Sequence, residues 1–93
     1  MWEVYEHRRV AKQLDSLPVE LLKRYEKWKD IAMLSGPLDL RRIKGFNDEA
    51  LKGQWGGHRS SRLGLHYRVI YKISTEEQRL LVLTITPHDY RKG

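Results

Sequence analysis

The chain has 93 residues, a formal net charge of +6 and no cysteine, a length typical of one domain spanning residues 1–93. A domain of this size can bury one core but has little room for a deep pocket, so we expect the functional site in an exposed groove. Without cysteine there are no disulfides and no thiolate metal sites. No apolar run approaches the ~20 residues that cross a bilayer, and the N-terminus lacks the apolar segment of a signal peptide. We therefore expect a cytoplasmic protein without membrane contact.

The polarity pattern along the first forty residues changes from the period of a strand to that of a helix. Residues 2–7 alternate in polarity and are rich in strand formers, which predicts a first strand. Apolar residues then recur at helical spacing over 10–17. A second amphipathic helix begins near Pro18 and ends at SerGlyPro, residues 35–37.

The second half of the chain is predicted to be mostly strand. Residues 37–57 are rich in glycine and turn formers, with a brief helical turn or strand around 39–43 and an extended segment within 50–55. Strands are predicted at 58–63, 66–74 and 80–86, where short links favour antiparallel pairing. Two consecutive helices must cover one face of such a sheet. The predicted fold is α+β, with two N-terminal helices packed on one face of a curved, four- to five-stranded, mainly antiparallel sheet.

The positive charge is concentrated in the middle third of the chain. Residues 41–72 carry eight basic and two acidic groups, whereas the segments before and after are each neutral. A concentration of positive charge produces an electrostatic field that attracts polyanions and increases their association rate. The same stretch holds Glu49, His58 and His66, which can move protons, so it indicates chemistry on a phosphodiester. The four histidines are dispersed without ligand spacing, so we expect no metal site and no cofactor.

Four segments together resemble one known family. They are the opening strand followed by ValAlaLysGlnLeuAspSerLeuPro at 10–18, LeuLysGly at 51–53 followed by Gly57, ArgLeuGlyLeuHisTyrArgValIleTyrLysIle at 62–73, and an apolar strand running into HisAspTyrArg at 88–91. In these segments, and over nearly the whole chain, the sequence resembles the RelE/ParE superfamily of small bacterial toxins that are encoded with an antitoxin. RelE-like members are endoribonucleases, most of which cut mRNA in the ribosomal A site, whereas ParE-like members poison DNA gyrase.

The resemblance implies a catalytic centre in the middle third of the chain. GluAlaLeuLys at 49–52 is separated from Arg62 and Arg68 by the same number of residues as its counterpart in YoeB-like nucleases. By this resemblance Glu49 is the general base, and Arg62 and Arg68 bind the phosphate. His66 is the competing base, since a histidine ordinarily titrates at about 6.5.

The same resemblance implies a catalytic pair near the C-terminus, formed by His88 and Tyr90. In YoeB-like proteins the histidine is followed directly by the tyrosine, whereas Asp89 intervenes here, so the general acid is either of the two. The sequence does not fully match the lysine-based catalytic centre of RelE, although Lys44 and Lys52 could serve as its lysines.

The remaining basic groups of the middle third are predicted to contact RNA. They are Arg41, Arg42, Lys44, Lys52, Arg59 and, with them, His66. The partners implied are a cognate antitoxin, mRNA and the ribosome, at the 30S A site with its 16S rRNA. The implied activity is metal-free mRNA cleavage through 2′-OH attack, which stops translation in the bacterial cytoplasm. A ParE-type gyrase inhibitor and a non-catalytic RNA- or ribosome-binding domain remain the two alternatives.

Overall fold

The computed structural model describes residues 1–64 and 66–87. The strands within these ranges are β1 (Glu3–Glu6), β2 (Glu49–Ala50), β3 (His58–Arg62), β4 (Arg68–Ser74) and β5 (Arg79–Thr86). The helices are α1 (Arg9–Asp15), α2 (Val19–Ser35) and α3 (Pro37–Arg42), with 3-10 turns at Lys44–Phe46 and Gly53–Trp55. No helix of the described ranges has the length and apolarity needed to cross a membrane.

The strands form one five-stranded sheet in the order β1-β5-β4-β3-β2. The β1–β5 pair is parallel and the other three pairs are antiparallel, so the predicted α+β fold with a mainly antiparallel sheet is confirmed. Two short elements go beyond the prediction. For residues 39–43 a helical turn or a strand was expected, and the structure has the helix α3 there; the extended segment expected within 50–55 is only the two-residue β2, which begins one position earlier.

The two N-terminal helices, α1 and α2, pack on the same face of the sheet, as predicted. One core cluster joins residues of α1, the turn after it, α2, β4 and β5: Val10, Leu17, Tyr25, Trp28, Ala32, Val69, Tyr71, Leu80, Val82 and Ile85. Trp28 is fully buried at its centre. Its ring stacks on Tyr25 with centroids 5.9 Å apart and meets Tyr71 edge-on at 5.2 Å. Trp28 is therefore a core residue that fixes α2 to β4.

The opposite face of the sheet carries a row of polar and apolar residues. Ser60, Ile70 and Thr84 lie directly opposite one another across β3, β4 and β5, and Arg68 shares their face because strand side chains alternate. Strict alternation along the strand predicted at 66–74 puts Arg68, Ile70 and Lys72 on one face and Val69 and Tyr71 on the other, and the structure confirms this alternation. However, Arg68 is only 5% exposed, so the arginine sits in a covered position and not in the open groove that was expected.

A glutamine side chain protects the edge of β5 where β1 ends. The β1 ladder reaches Val82, and beyond it the Gln13 side chain takes over the pairing. Its Oε1 accepts the Ile85 backbone N–H at 2.8 Å, and its Nε2 donates to Thr84 Oγ1 at 2.8 Å. Because an unpaired strand edge is a site for aggregation and an unsatisfied buried N–H is costly, this contact stabilises the fold.

Gln13→Ala should lower the free energy of unfolding by about 1–3 kcal/mol, because the nearly buried Ile85 N–H loses its acceptor. Urea unfolding followed by circular dichroism measures the change. The matched control is Gln54→Ala, which truncates an exposed glutamine and should change stability by no more than about 0.5 kcal/mol. Equal effects of the two variants would show that Gln13 does not protect the edge.

Candidate active site

Glu49 and Arg68 meet on the sheet face that the helices leave uncovered. Glu49 Oε1 lies 4.0 Å from Arg68 Nη2, with 35% of the glutamate side chain exposed and 6% of the arginine side chain exposed. Arg68 is held by two further contacts, because its Nε donates to Ser60 Oγ at 2.8 Å and its Nη2 donates to the Asn47 carbonyl at 3.3 Å. The guanidinium is thus a fixed, buried cation, and Glu49 is the accessible member of the pair.

Arg62 lies beside this pair on the same face. It is directly opposite Arg68 in the β3–β4 register, and opposite residues of an antiparallel pair have Cα atoms about 4.5–5.5 Å apart. Arg62 is half-buried. Like charges placed directly opposite each other destabilise a sheet, and an anion bound between them would relieve that cost. The structure therefore brings Glu49, Arg62 and Arg68 to one region of this face, while their roles in catalysis and phosphate binding stay predictions.

Lys52 and His58 border the same region. Lys52 is exposed and lines a shallow surface cleft with Glu49. His58 lies two residues before Ser60 on β3 and therefore has its side chain on the face of Ser60. Its Nδ1 is 3.3 Å from the Trp55 carbonyl, and its ring meets the Trp55 ring edge-on at 5.4 Å. The half-buried Trp55 thus packs against His58.

The two arginines of α3 have surroundings of their own. Arg41 shares a cleft with Trp2 and Thr75. Thr75 follows the end of β4, so it lies about 20 Å along that strand from Arg68. Arg42 is highly exposed on α3, where its Nη1 is 3.5 Å from Asp39. The structure thus puts Arg41 at a distance from the Glu49–Arg68 pair, whereas Arg42 is an exposed residue beside Asp39.

The other predicted site residues divide into two groups. Lys44, in a 3-10 turn, and His66, in the link between β3 and β4, are both exposed. His88 and Tyr90, the two candidates for the general acid, lie outside the described residues, and their role stays a prediction.

Arg59 is directed to the face of the sheet opposite to that of Arg62 and Arg68. Its Nε donates to Asp48 Oδ1 at 2.7 Å, with 18% of the arginine side chain exposed and none of the aspartate side chain exposed. Burial opposes the charge of Arg59, but the hydrogen bond and the charge of Asp48 outweigh it and raise the pKa of the guanidinium. We therefore leave Arg59 out of the proposed RNA-binding residues.

Asp48 is the centre of a buried hydrogen-bond network that sequence reasoning missed. Besides Arg59 Nε, Ser61 Oγ donates to it at 2.5 Å and Tyr71 Oη at 2.6 Å. Ser61 Oγ in turn accepts the indole N–H of Trp28 at 2.9 Å. The only sequence signal was indirect, since alternation puts Arg59, Ser61 and Tyr71 on the helix side of β3 and β4. Three inward-facing donors require an acceptor, but the pattern does not say which residue supplies it.

Two buried tyrosines donate hydrogen bonds from their hydroxyl groups to carboxylates. Burial, followed by the charge of Asp48 and the hydrogen bond to it, raises the pKa of Tyr71 far above its ordinary value, although Arg59 partly opposes this. Burial and the hydrogen bond to Glu6 likewise raise the pKa of Tyr25. Both hydroxyls therefore keep their protons in the folded protein near pH 10, where tyrosine side chains ordinarily lose them.

Stability should fall in strongly alkaline solution because of these two hydroxyls. A raised folded-state pKa gives stabilisation that is complete below the unfolded value of about 10 and declines above it. Each tyrosine should contribute a slope of about 1.4 kcal/mol per pH unit above pH ~10. Tyr25→Phe and Tyr71→Phe should each remove one such slope from the unfolding free energy, measured by urea denaturation between pH 9 and 11. A variant whose slope equals that of the parent would contradict the assignment for that tyrosine.

Comparison with known structures reveals clear relatives. A chain of the archaeal RelE–RelB complex from Pyrococcus horikoshii superposes with a TM-score of 0.75 and is 31% identical, over 92% of this chain and 93% of that one. The YoeB/ParE toxin from Agrobacterium tumefaciens gives a TM-score of 0.71 at 18% identity, over 94% and 99% of the two chains. A chain of the YoeB–YefM complex from Staphylococcus aureus gives 0.72 at 13% identity, over 96% and 99%.

Neither a protein-family model nor a curated protein sequence matches the chain, so its classification depends on these solved structures. The Agrobacterium and Staphylococcus structures share the fold. The Pyrococcus structure adds 31% identity over nearly the full length of both chains. On this basis the protein belongs to the RelE/ParE toxin superfamily, and within it is similar to a RelE-type toxin.

Proposed function

We propose that this protein is the toxin of a type II toxin–antitoxin system and acts as a metal-free endoribonuclease on mRNA, at the ribosomal A site. The observation that carries the proposal is the juxtaposition of three groups on one sheet face. A half-exposed carboxylate, Glu49, lies 4.0 Å from the buried cation of Arg68, and Arg62 is directly opposite Arg68 on the same face. A base beside two cations is what phosphodiester cleavage by an internal nucleophile requires.

In the proposed reaction the 2′-OH of the substrate attacks the adjacent phosphorus atom. Glu49 accepts the proton of that hydroxyl as the new P–O bond forms, and the bond from phosphorus to the 5′-oxygen breaks. The upstream fragment then ends in a 2′,3′-cyclic phosphate and the downstream fragment begins with a 5′-OH, which has taken a proton from the general acid. His88 or Tyr90 is proposed for that acid. Each well-placed acid or base contributes roughly 10²–10⁴ in rate.

The two arginines are suited to different parts of this reaction. Arg62 is the more accessible, and its guanidinium can bind two phosphate oxygens at once. Arg68 is buried and held by Ser60 and Asn47, so it needs no rearrangement when negative charge builds up on the phosphorane. Fixed charges of this kind stabilise a transition state more than they stabilise the ground state. Binding an anion would also offset the repulsion between two arginines placed opposite each other.

The proposed protein partner is a cognate antitoxin. Relatives with this fold are found in RelE–RelB and YoeB–YefM complexes, and the formal net charge of +6 favours an acidic segment. Binding over the Glu49 face would block access of RNA to the two arginines. The exposed Lys52 beside Glu49 is proposed to contact either the RNA backbone or the antitoxin that replaces it.

End-group analysis of the products is the decisive test of the chemistry. We expect 2′,3′-cyclic phosphate and 5′-OH ends from mRNA on programmed ribosomes, and no cleavage where the cut site carries a 2′-deoxy nucleotide. On a free RNA substrate the reaction should persist in excess EDTA. Glu49→Gln should lower the single-turnover rate by roughly 10²–10⁴, whereas Glu76→Gln, at an exposed turn position, should leave it unchanged.

Three outcomes would contradict the proposed function. Products with 5′-phosphate and 3′-OH ends would mean that water is the nucleophile and that Glu49 does not act on a 2′-OH. Inhibition of gyrase supercoiling without RNA cleavage would indicate a ParE-type inhibitor. Binding to RNA or ribosomes with no cleavage at all would indicate a non-catalytic binding domain.

Binding of single-stranded RNA should depend strongly on salt. If the protein neutralises about four phosphates, log K against log salt should have a slope of about −3, measured with the Glu49→Gln variant so that no substrate is cut. Adding Arg62→Ala should reduce the magnitude of the slope by up to about one unit. Adding Lys12→Ala, on the exposed side of α1, should leave the slope unchanged. A slope near zero would rule out binding led by phosphate contacts.

A further inference from the structure

Glu49 lies on a very short strand. β2 has two residues and lies at the edge of the sheet. It follows Asn47, whose backbone is left-handed with φ 42°. Its register with β3 is limited to two residue pairs, continued by the hydrogen bond from Leu51 N–H to the His58 carbonyl at 2.9 Å. Short edge strands of this kind open easily, so a contact outside β2 is expected to help hold this segment in place.

The neighbouring residue Asp48 makes that contact. Its side chain is fully buried and accepts hydrogen bonds from Arg59 and Ser61 of β3 and from Tyr71 of β4. Hydrogen bonds to an ionised carboxylate are roughly twice as strong as neutral ones. Through Ser61 the network reaches Trp28 of α2. Asp48 therefore connects the segment that enters β2 to two strands and a helix.

The two faces of the sheet are linked at this point through adjacent residues. On β3, Ser61 donates to Asp48 on the helix side, while its neighbour Ser60 accepts from Arg68 on the other side. Along the segment entering β2, Asn47 and Glu49 flank Asp48, and both contact Arg68, through the Asn47 carbonyl at 3.3 Å and Glu49 Oε1 at 4.0 Å. A displacement of Asp48 would therefore move both groups relative to the guanidinium.

We propose that Asp48 is a positioning residue, whose anchoring in the core holds the Glu49 carboxylate at its place beside Arg68. Its consequence for catalysis rests on the proposed ribonuclease function. Asp48 itself faces the core and touches no substrate. Its contribution is geometric, and a misplacement of reacting groups by about 1 Å can lower a rate roughly 10²-fold.

The chain offers a matched pair of variants that separates positioning from general stability. Tyr71→Phe removes a tyrosine hydrogen bond to Asp48, and Tyr25→Phe removes one to Glu6 on β1. Both rings are fully buried and both contact Trp28. Tyr71→Phe should lower the single-turnover cleavage rate of the bound complex about 10-fold, with the Kd for ribosomes unchanged. Tyr25→Phe should leave both quantities unchanged.

Asp48→Asn should have a larger effect of the same kind, roughly 100-fold on the cleavage rate with the Kd again unchanged. Asparagine keeps the size of the side chain but puts a donor N–H₂ group among three donors. If this variant does not fold, the tyrosine pair still decides the question. Equal rate losses in Tyr71→Phe and Tyr25→Phe, or an unaltered rate in a folded Asp48→Asn variant, would overturn the proposal.

A second readout does not depend on enzyme activity. The Arg68 Nε–H is buried and bonded to Ser60, so it should give a distinct signal in a ¹H–¹⁵N NMR spectrum. This signal and the Glu49 amide signal should shift in Tyr71→Phe and Asp48→Asn but not in Tyr25→Phe. If the parent protein cleaves no RNA, the proposed function fails while these shifts still test the positioning. Unchanged Arg68 and Glu49 signals in Asp48→Asn would overturn it.

Discussion

The hydrogen bonds to the buried carboxylate of Asp48 are the interactions on which the rest of this structure depends. Its side chain has no solvent exposure and accepts three short hydrogen bonds, one of them from the guanidinium of Arg59. Removing one partner from a buried, hydrogen-bonded charge pair ordinarily costs about 3–5 kcal/mol, while a whole domain is stable by about 5–15 kcal/mol. Loss of this one carboxylate would therefore cost a large part of the stability of the fold.

The same network explains why three arginines on neighbouring strands differ in their surroundings. Arg59 faces the helices and neutralises Asp48. Arg68 faces the other way, is nearly buried, and is held by Ser60 and Asn47. Arg62 lies opposite Arg68 on the same face and is more accessible. Strand alternation thus assigns one arginine to the core and two to the proposed phosphate-binding surface.

The parts of the fold that repeat regularly were predictable from the sequence. The alternation of β4 placed Val69 and Tyr71 in the core and Arg68 on the opposite face, because a seven-residue strand contains several periods. β2 has two residues and α3 has six, which is too short for a periodic signal. Their positions depend on tertiary contacts that no local pattern describes.

The site was only partly predictable for a related reason. The family resemblance named Glu49, Arg62 and Arg68, and the structure brings them to one face. A count of charges could not show that Arg59 is already paired, because its partner Asp48 is eleven residues away in the chain. Nor could it find Asp48, whose donors come from positions 59, 61 and 71. The role of Glu49 as a base remains a prediction.

The parallel pairing of β1 with β5 sets the order in which the chain can assemble. Glu3 pairs with Arg79, and Gln13 bonds to residues 71 and 72 positions later in the chain. Contacts of such long range form slowly, because the loop between them must first be closed. During synthesis β1 and α1 leave the ribosome long before their partner strand does. The sheet therefore cannot close until β5 has been translated, and a nascent chain that stops short of β5 cannot contain the complete sheet.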